Sequence, residues 1–411
     1  MNNKWFGILL AVAILGLIVG SYGMVQRLLY GLNPVAFGSY VPWGLWVAFY
    51  LFFLGLSAGA FLVTIMAYVF EMKRFEEIGR LAAFTVLIAL LCEVLFITLD
   101  LGRMTRIYRF LLSPSFSSLM TWMFVLFNAM LIIYALKTFF LVRGDLVSWG
   151  NDRSRKGSGL YRLLALGRTR YGEEDQRRDH HAVHLLSMIS LPVGLLFYGT
   201  NGAFFAILMN RPIWNSALTP LLFIIGAILS GGALVTFLTH LLMKDEDLVR
   251  SLGRAILFTM IVFLFLEALQ FFVGYQAGVV RVVAALNLIA FGPYAWTFWI
   301  VHLLIGSLIP LILLIAWRDN TTAIAWACAL IVVTFITVRF NFVIPDLAVY
   351  KLEGLENTFF HPRLRTHYTP NLNEWLVSIW VSSLGLLAFL LGARWLPVIS
   401  SDQGGFQHVE S

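Results

Sequence analysis

Residues 79–93 read "GRLAAFTVLIALLCE", an apolar run that ends on a glutamate, and residues 253–267 read "GRAILFTMIVFLFLE". Gly, Arg, Phe, Thr, Leu and Glu recur at the same places in both. A carboxylate in such surroundings is costly unless it is paired, protonated or wetted. Its appearance at the same place twice marks an internal repeat built around a buried acid. Apolar runs of this length are the signature of membrane helices, so this stretch also sets the fold class.

The rest of the chain agrees. Of its 411 residues 60% are hydrophobic and 12% charged, against about 25% charged in a soluble domain. Ten apolar runs qualify as spans: 5–26, 43–70, 81–101, 117–141, 184–209, 216–243, 255–275, 292–317, 322–345 and 375–397. The first, flanked by Lys4, is too long for a signal peptide and has no small-residue cleavage site, so it reads as a helix. The expected fold is all-α, a polytopic membrane protein of about ten transmembrane helices. With both termini cytoplasmic, the cytoplasmic segments carry about twice as many Lys and Arg as the periplasmic ones, which the positive-inside rule favours. Most of that margin, and of the net charge of +7, sits in the 142–183 loop, so nucleic acid is not needed as a partner.

The repeat continues in "GLSAGAF" (55–61) and "ILSGGAL" (228–234), whose small residues allow helices to approach closely. Helices two to five and six to nine then form two related four-helix bundles of the same topology, related by an axis along the membrane normal. Helices one and ten stand outside the repeat. The chain divides into 1–42 (first helix and periplasmic loop), 43–209 (first bundle), 210–345 (second bundle) and 346–411 (periplasmic loop, last helix and cytoplasmic tail).

Helix three enters near residue 80, which puts Glu93 roughly 20 Å across the membrane at 1.5 Å per residue; Glu267 reaches a similar height in helix seven. Each reads as a proton-handling group near a cavity, or alternatively as a hydrogen-bonded carboxyl that knits helices together. Above Glu93 the sequence runs "LDLGRMTRIYRF", with Asp100 two turns further along the same face and Arg103 beside it. A carboxylate column suits proton transfer; an Asp–Arg pair closing the helix is the structural alternative. Cys92 and Cys328 both fall inside spans, and with two cysteines the chain cannot ligate an iron–sulfur cluster. His302 is the only mid-span histidine; His184 and His240 lie at cytoplasmic ends, and His361 and His367 in the last periplasmic loop. No pair matches in depth, so no haem is expected, nor any other metal.

"LDLGRMTRIYRFLLSPSFSSLMTW" resembles the Asp-Leu-Gly-Arg segment of the NrfD/PsrC family, the membrane subunits of polysulfide-reductase-type complexes. "YGLNPVAFGSYVPWGLWVAFYLFFLGLSAGAF" resembles that family's approach to helix two, in the style of the HybB-type membrane subunit of respiratory hydrogenases. "HYTPNLNEW" resembles its tyrosine–proline–acid lead-in to the last helix. Met104 departs from the proline that many relatives carry after Gly-Arg. The resemblance implies a subunit of the prokaryotic cytoplasmic (inner) membrane that exchanges electrons and protons with quinone, either menaquinone or ubiquinone. It implies a periplasmic ferredoxin-like iron–sulfur partner and, through it, a catalytic subunit, either a molybdopterin enzyme or a hydrogenase.

A quinone site needs aromatic walls, groups that hydrogen-bond its oxygens, and a proton route. Tyr40, Trp43 and Trp46 at the start of helix two, with Tyr198 and Asn201 at the end of helix five, are the candidates; family analogy turns the first group and Tyr198 toward the quinone head. For Tyr40 and the tryptophans an interfacial aromatic belt is the alternative. Glu93, Asp100 and Arg103 are the candidate reactive groups. In the second bundle Glu267, His302, Arg339 and Asn341 form a polar set, with Glu267 expected to pair with Arg339; Glu93, Asp100, Glu267, His302 and Arg339 are the candidate proton path. The 142–183 loop is expected to cover the cytoplasmic face, and the 346–374 loop, with Pro362 and Pro370, to dock the iron–sulfur partner. Parallel repeats with mid-membrane carboxylates also describe secondary transporters, but Pro192 and Pro310 do not occupy matching positions in the two repeats.

Overall fold

The computed structural model of the protein describes residues 3–399 apart from 153, 156, 244, 353, 355–357, 359–360 and 362–363. Among the described residues ten helices are long and apolar enough to cross a membrane: α1 Asn3–Tyr30, α2 Leu45–Tyr68, α3 Lys73–Asp100, α4 Leu119–Asn151, α5 Glu173–Ala206, α6 Leu218–Leu242, α7 Glu246–Gln276, α8 Thr297–Ala316, α9 Thr321–Leu347 and α10 Leu372–Trp395. They correspond one to one with the ten runs read from the sequence. Among the described residues there is no strand, as expected where a lipid-embedded backbone must satisfy its own hydrogen bonds. The protein is an all-helical, multi-pass membrane protein.

Several helices run past their apolar segments, and this alters the 142–183 stretch. That stretch is mostly the end of α4 and the start of α5, joined through a short helix at Ser158–Leu164. Arg143 donates to Asp179 at 2.8 Å across the two extensions, Tyr171 donates to the same carboxylate at 3.0 Å, and Arg80 of α3 pairs with Asp145 at 2.7 Å. Tyr161 and Trp149 pack with Val398 beyond α10. Charges that look like a loop in sequence are therefore helix surface, held by ion pairs. Within the 346–374 stretch, residues 353, 355–357, 359–360 and 362–363, Pro362 among them, lie outside the described residues, as does the tail from 400 onward.

The helices α2 to α5 touch in a ring, with α2 against α3 and α5, and α4 against α3 and α5. In the other half α6 packs on α7 and α9, and α8 lies along α9. The two glycine-containing repeat motifs meet at the seam between the halves, where α2 crosses α6. A Cβ on Gly59 would stand 2.3 Å from the Gly231 carbonyl carbon, and one on Gly231 would stand 2.6 Å from Gly59 Cα. Backbone touches backbone there, a contact open only to glycine. Helices α1 and α10 pair with each other, and α10 leans on α3. The outward face of α1 leaves Leu15 62% and Ile18 67% exposed, as suits a helix bathed in lipid. Within α8 the backbone is π-helical over Thr297–Leu308, just ahead of Pro310. Proline lacks an N–H and its ring crowds the carbonyl four residues back, so a widened turn relieves the conflict.

A candidate ligand cavity between two carboxylates

At the end of the first ring, where α3 finishes, a cavity of about 990 Å³ (counting space that opens outward) lies between α2, α3, α4 and α5. Glu93, Val94, Ile97 and Asp100 line it from α3, the i, i+1, i+4, i+7 set that one face of a helix presents. Val47 and Tyr50 face it from α2, Phe127 from α4, and Phe197, Phe204 and Phe205 from α5. Leu101, Ile107 and Phe110 close the end through the short turns that follow α3. Met120, 43% exposed, also lines the cavity.

Trp43, just ahead of α2, forms part of the wall and stacks on Trp214 at 5.7 Å between ring centroids. Tyr50 hydrogen-bonds the amide oxygen of Asn201, whose own N–H₂ donates to the Phe197 carbonyl at 2.9 Å. Glu93 is 1% exposed; its Oε2 and the Asp100 Oδ1 are buried without a hydrogen-bond partner. Two carboxyl groups with spare capacity in an otherwise apolar, aromatic box fit a flat apolar molecule with a polar head. Such groups can take or give protons at that head.

The other sequence candidates lie elsewhere. Arg103 is exposed and outside the cavity lining; the cation within electrostatic reach of Asp100 is Arg27 of α1. Arg27 is 1% exposed and donates to the carbonyls of Leu99 and Leu101, both at 2.7 Å. It therefore holds the end of α3 and supplies the counter-charge to Asp100. Tyr40 is half-buried against Tyr350. Trp46 is fully buried on the far side of α2, under the Arg27 guanidinium at 5.8 Å. Tyr198 sits behind Phe197, outside the lining, with its hydroxyl on Ser57 at 3.1 Å.

The expected Glu267–Arg339 pair is absent. His302 Nε2 lies 2.8 Å from the Glu267 carboxylate instead. Arg339 points the other way, to the α2–α6 seam, with its guanidinium over Phe223 at 4.8 Å and Phe335 at 5.2 Å and its Nε without a partner. Asn341 joins the Thr297 hydroxyl at 2.7 Å. Depth along a helix matched Arg339 to Glu267, but the direction around α9 separates them. The halves also differ at the position that matches Asp100: α7 has Gly274 there, and Leu286 Cδ1 lies 2.7 Å from where its Cβ would be.

The sequence reading missed Tyr50, which lines the cavity, and Arg27 and Glu374, which lie outside the lining within electrostatic reach of Asp100. Tyr50 follows Trp43 and Val47 at helical spacing and was legible as one stripe. Arg27 looks in sequence like an ordinary loop charge. Glu374 belongs to "HYTPNLNEW", which carries a family resemblance without pointing to a partner. It is fully buried, accepts from Tyr368, and with Arg27 is within electrostatic reach of Asp100. Outside the spans, burial pushes the Tyr294 phenol up to about 12, and its hydroxyl donates to the Tyr368 carbonyl at 2.9 Å. Burial first, and the neighbouring Glu374 second, hold Tyr368 well above the usual phenol range, so it stays a donor. Among the described residues no group of three or more His, Cys, Asp or Glu gathers as a metal site.

Arg27 invites a direct test. Arg27→Met removes two charge-assisted bonds worth about 1.5–3 kcal/mol each and should lower the thermal midpoint of the purified protein markedly. A midpoint unchanged from wild type would show that the end of α3 does not depend on it.

A family model described as "Polysulphide reductase, NrfD" matches residues 35–350. The chain is 29% identical to a selenate reductase subunit of Mesobacillus selenatarsenatis, over 98% of this chain and 96% of the relative. It is 27% identical to a "Putative dimethyl sulfoxide reductase membrane subunit" of Halobacterium salinarum, over 97% and 92%. It is 26% identical to "Hdr-like menaquinol oxidoreductase integral membrane subunit" of Archaeoglobus fulgidus, over 96% and 94%.

Proposed function

The chain belongs to the NrfD polysulphide reductase family, and from that premise we propose that it is the membrane subunit of an oxidoreductase complex and exchanges electrons and protons with membrane quinone. The names of its relatives, one of them a menaquinol oxidoreductase subunit, support this reading. The observation that carries it is the pair of carboxyl groups on one face of α3 in an aromatic cavity, each with one buried oxygen that has no hydrogen-bond partner.

In the direction of quinol oxidation, a hydroquinone gives up two electrons and two protons and becomes the quinone. Glu93, deepest in the box, accepts a proton from the nearer hydroxyl; Asp100, two turns toward the helix end, passes protons outward. The electrons leave on the Asp100 side to an iron–sulfur partner docked there, which links the chain to a catalytic subunit; quinone reduction runs the same steps backward. The excess of Lys and Arg in the segments assigned to the cytoplasm supports putting that side in the periplasm and both termini in the cytoplasm, in the inner membrane of a prokaryote. Arg27 holds Asp100 in place, and the aromatic wall grips the ring and excludes water.

The fluorescence of a hydroxyquinoline N-oxide quinol analogue, quenched on binding to the purified complex, tests the site. Ile97→Trp, which fills the cavity from α3, should abolish saturable quenching by the assembled complex. Equal affinity in the two proteins would place the quinone elsewhere.

A further inference from the structure

Four hydrogen bonds tie the first turn of α10 and its lead-in to the first turn of α2 and the segment ahead of it. The Tyr368 hydroxyl accepts from the Leu45 N–H at 2.7 Å and donates to Glu374 Oε2. Glu374 Oε1 accepts from the Ala36 N–H at 2.8 Å, and its carbonyl accepts from Trp46 Nε1 at 3.1 Å. Asn371 donates to the Pro34 carbonyl at 2.7 Å while capping α10 with its side-chain oxygen, 3.0 Å from the Glu374 N–H. These anchors lie on both sides of Trp43, the residue that carries the cavity wall ahead of α2.

The first turn of a helix leaves N–H groups without partners, which a side chain at the cap position normally satisfies. Gly44 occupies that position in α2 and offers no side-chain cap. The phenol of Tyr368, 323 positions further along the chain from Leu45, takes over the role. Gly44 also leaves the room this needs: a Cβ there would be 2.6 Å from the Tyr368 hydroxyl and 2.9 Å from Glu374 Oε2.

We infer that Tyr368 and Glu374 are positioning residues for the cavity, a clamp from the last helix that sets the approach to α2 and so the placing of Trp43 and Tyr50 against a bound quinone head. The inference rests on the quinone reading of the cavity. Neither side chain lines the cavity, so the clamp acts through the α2 segment rather than on the ligand.

The purified complex, carrying Tyr368→Phe, Glu374→Gln or Gly44→Ala, is titrated with the hydroxyquinoline N-oxide analogue, with affinities normalised to folded protein. Tyr368→Phe loses both bonds of the phenol. Glu374→Gln places an N–H₂ or an unmatched acceptor against groups arranged for a carboxylate. Gly44→Ala keeps both polar side chains and crowds the phenol and the Phe37 ring, each 2.6 Å from the added Cβ, and it carries the test if the polar variants fail to accumulate. All three should weaken the analogue by about tenfold or more and raise the quinol KM by a larger factor than they lower kcat. A clamp that served folding alone would reduce yield or thermal stability and leave the affinity of the folded fraction as in wild type; that result overturns the inference. Failure of the wild-type complex to bind the analogue overturns the cavity reading and the clamp with it.

Discussion

Glu93→Gln arrests quinol oxidation by the complex: turnover falls by about 10²-fold or more, the effect expected when a positioned acid–base group is removed. The amide fills the same space and adds no charge, so the complex should assemble and bind the quinol analogue within a fewfold of wild type. The expectation rests on geometry. Glu93 is 1% exposed, one of its oxygens has no protein partner, and it shares the cavity face of α3 with Asp100. A carboxyl that merely knitted helices would have its capacity spent on neighbouring side chains. Steady-state quinol oxidation measured across the pH range, beside analogue binding, is the check. Turnover within twofold of wild type throughout would remove Glu93 from the chemistry. The equivalent change at Glu267 should act differently, because its carboxylate is engaged by His302 at 2.8 Å. His302 is buried and Glu267 partly so; removing one partner of such a pair is costly, and Glu267→Gln should show itself in stability before turnover.

Gly59→Ala should prevent accumulation of folded protein. The added methyl carbon would lie 2.3 Å from the Gly231 carbonyl carbon and 2.4 Å from the Gly232 nitrogen, and backbone cannot rotate aside as a side-chain tip can. Overpacking a well-filled interior costs about 1–3 kcal/mol when side chains can adjust; a clash with backbone at the seam of the two halves exceeds that. Gly231→Ala should behave alike from the opposite helix, its Cβ 2.6 Å from Gly59 Cα. Gly7→Ala is the control: nothing lies within 4 Å of its Cβ position, and helix propensity favours alanine there. Yield of monodisperse protein and thermal midpoint in detergent separate the three. A Gly59→Ala protein as stable as the Gly7→Ala control would show that the seam tolerates separation.

The sequence by itself determined the class of the molecule and the helix face that carries Glu93 and Asp100. Ten apolar runs became ten helices because lipid leaves a backbone no partners except its own. Glu93 and Asp100 were readable as one face because seven residues make two turns of any α-helix, and neither inference needs to know what lies opposite. The glycines of "GLSAGAF" and "ILSGGAL" announced a close approach without saying that the two motifs meet each other. Which side chains meet across helices depends on rotation about each axis and on long-range packing, and there the sequence reading of Arg339 with Glu267, and of Arg103 as neighbour to Asp100, gave way to His302 and Arg27. The same holds for Trp46 and Tyr40, aromatic and close to the site in sequence but turned away from the cavity, and for Tyr368, which caps a helix 323 positions distant. Periodicity fixes the face of a helix relative to its own residues; only the tertiary structure, by closing buried polar groups onto partners far along the chain, decides which neighbour that face receives.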